Sequence, residues 1–220
     1  MELGTPRTLR AVLGLSSSSA LTRRRSSRRR GDHPLPARWA LQYEPVFVSQ
    51  RVLGIDPGLT RCGYAVLDST GPGAPKALSL GVLRTPPTDA LPQRLAALQA
   101  EIVALLREFR PDVVAVEQVF FQVNVRTAMS VGQASGLALA EAAAFGCEVV
   151  QYTPNQVKNS VAGYGGADKA QVQRMVQVRL GFSAPPKPAD AADAAALALC
   201  HLSSAPLRRH IAAMSKAVGQ

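Results

Sequence analysis

The chain has 220 residues, 47% of them hydrophobic, with a formal charge of +10. That length buries the core of one ordinary domain plus a tail. No apolar run reaches the roughly 18 residues a membrane span requires, because Glu141 and the Asp190/Asp193 pair interrupt the two most apolar regions. Three cysteines, Cys62, Cys147 and Cys200, stand apart with no CxxC spacing, so neither a disulfide framework nor a zinc ribbon is indicated, and a reducing cytoplasm is the natural setting.

The charge is unevenly placed. Residues 1–50 hold nine arginines against Glu2, Asp32 and Glu44, a surplus of +6, which leaves +4 of the +10 for everything beyond. Ser16 to Ser19, the run Arg23 to Arg30, and Pro34 and Pro36 give this extension a disordered composition. Three readings fit it: an organelle transit peptide, a loose DNA-binding arm, or a gene start placed too far upstream, the last being favoured. The remainder is mildly basic, which is compatible with a polyanionic partner but does not establish one.

From Arg51 the pattern changes. Val52–Ile55, Gly63–Leu67 and Leu78–Leu83 read as three short strands in a meander. Between Asp89 and Phe109, apolar residues recur at helical spacing (Leu91, Leu95, Leu98, Ile102, Leu105, Leu106) until Pro111. Val113–Val116 is a buried strand closed by Glu117. Val125–Phe145 is a second helix, rich in Ala and Leu and interrupted by Gly132 and Gly136; its small residues, with Ala138 and Ala142 among them, are expected to face a second copy of the chain. Cys147–Tyr152 gives a fifth strand, Pro154 opens a short helix, and Asp168–Leu180 and Ala189–His201 give two more. The order β-β-β-α-β-α-β-α predicts an α/β fold, a five-stranded mixed sheet flanked by helices. Residues 51–205 form this domain and residues 206–220 a C-terminal tail.

Four acids stand where apolar elements begin or end: Asp56 closes the first strand, Glu117 the fourth, and Asp190 and Asp193 lie three apart on one face of the last helix. Carboxylates gathered within a few ångströms repel and take up protons unless a cation holds them together. A site of Asp and Glu without His or Cys suits magnesium better than zinc. Two ions about 3.5–4 Å apart would activate a water and stabilise a leaving oxygen in phosphodiester cleavage. Taken singly, each acid except Glu117 has a structural account. Asp56 before Pro57-Gly58 fits a turn, and Asp190 and Asp193 fit a helix cap and a dipole partner. Gly163, Gly165 and Gly166 form no phosphate-loop pattern and read as a turn. His201 reads as structural.

The segments Arg51-Val-Leu-Gly-Ile-Asp-Pro-Gly-Leu-Thr-Arg-Cys-Gly-Tyr-Ala-Val66, Gly81-Val-Leu-Arg-Thr85, Glu117-Gln-Val-Phe120, Gly163-Tyr-Gly-Gly-Ala-Asp-Lys169-Ala-Gln-Val172 and Asp190-Ala-Ala-Asp-Ala194 resemble the RuvC Holliday-junction resolvases from about Arg51 to His201. The resemblance implies an RNase H-like fold, a homodimer, and magnesium-dependent symmetric nicking of opposed strands at a four-way DNA junction during recombination and repair. It implies two Mg2+ per subunit, replaceable by Mn2+, and the RuvA-RuvB branch-migration complex as partner. Asp56, Glu117, Asp190 and Asp193 match the family's catalytic, metal-binding acids. Lys158 and Lys169 match basic positions held against DNA, Phe120 matches an aromatic near the junction centre, and Arg61 is within reach of a phosphate. Residues 1–50 have no counterpart. Two other classes compete: an actin-like or sugar-kinase ATPase, which accounts for Asp56 only, and a catalytically silent junction binder, which leaves the four acids without a use.

Overall fold

The computed structural model describes residues 49–69, 73–119 and 125–218, with side chains described to residue 205 and not for residues 125–127. The elements are β1 (Gln50–Asp56), β2 (Arg61–Ser69), β3 (Lys76–Arg84), α1 (Leu91–Phe109), β4 (Val113–Glu117), α2 (Val125–Ala144), β5 (Glu148–Tyr152), α3 (Pro154–Ala162), α4 (Lys169–Leu180) and α5 (Ala189–Val218). None of these helices is long and apolar enough to cross a membrane. The strands form one mixed sheet in the order β3-β2-β1-β4-β5. β1 runs antiparallel to β2 and parallel to β4, and β5 is parallel to β4.

Side chains alternate across a strand, so the central strands bury both faces. Val52, Ala65, Leu67, Val113, Ala115 and Val150 pack against α3, α4 and α5. Leu53, Ile55, Val66, Leu83, Val114 and Val116 pack on the opposite face with Leu98, Ile102, Leu105 and Leu106 of α1 and Ala134, Ala138 and Ala142 of α2. That overturns the expectation that Ala138 and Ala142 meet a second copy: both are completely buried inside this subunit. Small residues occur on both faces of α2, so composition carried no contrast to say which stripe turns inward.

α5 lies directly on the sheet. A Cβ added to Gly54 would stand 2.1 Å from the carbonyl oxygen of Ala194, and one added to Gly63 equally close to that of Asp190. The helix answers with alanine, Ala191, Ala192, Ala194, Ala195 and Ala198 all being fully buried. Close approach therefore needs glycine on the strands and alanine on the helix together. Expected to end at His201, α5 runs to Val218 through residues read as a tail; Leu207, Ile211 and Met214 keep the helical spacing beyond Pro206.

The shorter helices are fixed by their ends. Thr153 and Asp168 each form a capping box, with Gln156 and Gln171 respectively, and Gly163 and Gly181 close α3 and α4 in the left-handed conformation. Gly163 is thus a helix terminator, as its turn reading implied.

Gly54→Ala forces α5 away from β1. Overpacking of this kind costs about 1–3 kcal/mol, so urea unfolding should show at least that loss, whereas Gly181→Asn, at a cap with open space around it, should stay within about 1 kcal/mol.

Candidate active site

β1 and β4 are parallel neighbours with Ile55 opposite Val116, so the next residues, Asp56 and Glu117, leave the sheet side by side on the α5 face. Asp56 is also opposite Gly63 of β2, the glycine on which Asp190 of α5 rests. Asp193, three residues along the same helix, faces the same place. Asp56, Glu117 and Asp193 line one cleft of about 370 Å³ with Lys158 of α3 and Lys169 at the start of α4; Val157, Val172, Ala196 and Leu197 form its apolar wall.

The electrostatics follow from burial. Asp56 is pushed up from 3.8 to about 8, first by loss of water and then by repulsion from Glu117, Asp193 and Asp190, against a smaller pull from Lys169. Glu117 is raised for the same first reason, although a hydrogen bond from Asp56 draws it back. The two behave as one pair sharing a proton. Burial also raises Asp193, with the Lys169 ammonium opposing. Asp190 moves the other way, held below the usual carboxylate range chiefly by its hydrogen bond from Arg61.

Each helix acid thus has its own cation. Lys169 Nζ stands 2.6 Å from Asp193 Oδ2. Arg61 donates to Asp190 Oδ2 from Nε at 3.0 Å, and again from Nη2. With Asp190 and Asp193 so engaged, no group of three acid, His or Cys side chains among the described residues is already gathered around a point where an ion could sit. The donor set nevertheless fits a hard divalent cation. It is all carboxylate oxygen, and it includes a buried pair whose repulsion only a proton or a cation relieves. Such an ion would take Asp56 and Glu117 directly and reach Asp190 and Asp193 as their cations give way.

Lys158 has no carboxylate partner among the described residues. Phe120 lies outside the described residues. His201 is buried on α5, its Nδ1 2.9 Å from the Tyr152 hydroxyl, which also meets Ser204 Oγ at 3.1 Å, a network within the core.

Sequence reasoning missed the brace on the β1–β2 turn. Arg94 of α1 donates from Nη2 to Thr60 Oγ1 at 2.7 Å and from Nε to Thr85 Oγ1 at 3.0 Å, while Thr85 Oγ1 donates to the Leu59 carbonyl at 2.5 Å. The turn that follows Asp56 and carries Arg61 is thereby tied to α1 and to the residue after β3. Arg94 is half-buried and falls on the stripe of Leu91, Leu98 and Leu105; a charge at an apolar position of α1 was the signal that could have found it.

The family model for crossover junction endodeoxyribonuclease RuvC matches residues 52–201. The crossover junction endodeoxyribonuclease RuvC of Salinispora arenicola (strain CNS-205) is 54% identical over 164 residues, covering 74% of this chain and 93% of that relative. Thermus thermophilus RuvC in complex with Holliday junction substrate superposes with a TM-score of 0.68 at 38% identity, over 72% of this chain and 96% of the other. The yeast mitochondrial Holliday junction resolvase Ydc2 aligns at 16% identity with a TM-score of 0.56, over 76% of this chain and 86% of that one, and shares the fold.

The folded chain holds the Asp56 proton up to about pH 8, while an unfolded chain releases it near 3.8. Between those values the folded state binds more protons, so its stability falls as pH rises. In chelator, the melting temperature should drop from about pH 5 to about pH 8, and Asp56→Asn should flatten that slope; an equal slope in the variant would place the titration elsewhere.

Proposed function

Because the chain belongs to the RuvC family of crossover junction endodeoxyribonucleases, we propose that it resolves four-way DNA junctions by paired, symmetric nicks in opposed strands, with magnesium as its cofactor. The observation that carries this reading is the convergence of Asp56, Glu117 and Asp193 on one cleft that also holds Lys158 and Lys169.

The residues divide the work by position. Asp56 and Glu117, rooted in adjacent strands, form the rigid half of the acid set. Asp190 and Asp193, carried by α5, form the other half. When bound, magnesium supplies the positive charge that lets four carboxylates share the site and offsets the charge growing on the attacked phosphate. Lys158 and Lys169 stand where the backbone of the cleaved strand enters, each able to hold a phosphate oxygen as a point charge. Lys169 serves twice, since the side chain whose ammonium steadies Asp193 is 64% exposed and can swing toward a phosphate. Cleavage leaves a 5′-phosphate and a 3′-hydroxyl. The shape of the junction governs binding through backbone contacts and deformability.

Symmetric nicking requires two active sites, hence a homodimer. The outward stripe of α2 supports one such surface: Met129 is 60% exposed, and Gly132 and Gly136 have open space where a side chain would project. The same reading takes the RuvA-RuvB branch-migration complex as partner and the cytoplasm as the setting. The silent-binder alternative is disfavoured by the cost of the acid set: three of the four acids are pushed up by burial, a strain without use in a pure binder.

With residues 46–220 and a labelled junction, magnesium should give paired cuts confined to the junction, absent from linear duplex of the same sequence. Asp56→Asn should slow nicking by about a thousandfold or more, the equivalent of some 4 kcal/mol of lost transition-state stabilisation. Tight binding with no cuts in magnesium or manganese would instead favour the silent binder. Gly136→Arg should give monomers by light scattering with the melting temperature preserved; an unchanged mass would move the dimer surface off α2.

A further inference from the structure

We propose that Arg84, together with Arg61 opposite it, forms a second phosphate-binding site, which grips the backbone of the cleaved strand on the β3 side of the acids. It deepens the endonuclease reading and rests on it.

The argument begins with register. Arg61 and Arg84 are direct partners across the antiparallel β2–β3 pair, and directly opposed residues share one face of a sheet. That face is the one carrying the acids. Asp56 is opposite Gly63, two residues along β2 from Arg61, and side chains return to the same face every second residue. Leu80 of β3, four residues before Arg84, packs against the α5-side core, whereas Leu83 packs on the other. Arg84 therefore projects from the catalytic face at the catalytic end of the sheet.

Its charge is uncompensated. Two like charges directly opposed on neighbouring strands destabilise the pair unless an anion lies between them. The anion present, Asp190, is bonded to Arg61. Arg84 is exposed and has no carboxylate partner among the described residues. A guanidinium with its fork free matches the geometry of a phosphodiester.

The sheet order then gives a path. From β3 to β5 the catalytic end presents Arg84, Arg61, the acid pair, and the lysines beyond β5 on α3 and α4. Cations thus flank the carboxylates on both sides. Arg84 stands two strand spacings from Asp56 across the sheet and two residues along it, Asp56 being opposite Gly63 and Arg84 opposite Arg61, about 12 Å in all. A strand laid along this end meets basic residues before and after the phosphate that is cut.

The test measures binding of the complete chain to a four-way junction by fluorescence anisotropy across a salt series, with calcium in place of magnesium. Arg84→Gln should weaken binding severalfold and lower the slope of log affinity against log salt by about 0.9, the loss of one phosphate contact. Arg84→Lys should keep the slope, and Lys76→Gln, which removes a charge from the far end of β3, should change neither quantity. Single-turnover nicking in magnesium at saturating enzyme should stay within about twofold for Lys76→Gln, whose exposed side chain stands at the far end of β3. If the unmodified chain binds and nicks while Arg84→Gln keeps its slope, or Lys76→Gln loses as much, this inference is overturned and the endonuclease reading stands. Failure of the unmodified chain to bind or nick would overturn both.

Discussion

Four carboxylates brought to one end of a sheet repel one another, and the arrangement around them can be read as an answer to that repulsion. Two acids, Asp56 and Glu117, sit on neighbouring strands and share a hydrogen bond. The other two are each met by a cation, Arg61 at Asp190 and Lys169 at Asp193. Those cations approach on one face of the sheet from either side of the acids, one from the start of β2 and one from the start of α4. The site is thus locally close to neutral while its parts remain charged, and a divalent ion or a phosphodiester can exchange for components already present. A core of apolar residues in the same place would hold the fold as well and do no chemistry.

What brings the acids together is backbone proximity. β1 and β4 are hydrogen-bonded neighbours, so their terminal residues are adjacent by construction. α5 is a different matter, because a helix ordinarily stands off a sheet by the thickness of two side-chain layers. Gly54 and Gly63 remove one layer and the alanines of α5 thin the other. This is why the first turns of α5 reach the strand ends at all. The Arg94 brace acts on the same geometry from the opposite face, limiting the freedom of the turn between Asp56 and Arg61.

Much of this was legible in the chain itself. The three-strand meander, α1 with its leucine spacing and the acid at the end of each central strand follow from periodicity, and the five-stranded mixed sheet from element order. Glu117 was the most telling residue, since a carboxylate closing an apolar strand has no local structural work. Less legible were features that depend on which face turns inward. The stripe of α2 containing Ala138 was taken for an outer surface, because alanine and glycine occur on both sides of that helix. The length of α5 beyond His201 was also missed, although Leu207, Ile211 and Met214 keep a helical spacing. Only strand register places Arg84 beside the acids, and only tertiary contact gives Arg94 its threonines.

The seating of α5 on glycine also sets how the chain can change in length. The turn between α3 and α4 can gain or lose a residue at smaller cost, because a cap holds each of its ends. The loop into α5 has no such latitude. With the helix held flat against β1 and β2, one added residue that advanced its register would turn every position by about 100°. Such a turn would carry both aspartates away from the strand ends and bring apolar positions in their place. The protein would keep its layers and lose its chemistry, so in this segment a single-residue insertion is a more severe lesion than most substitutions.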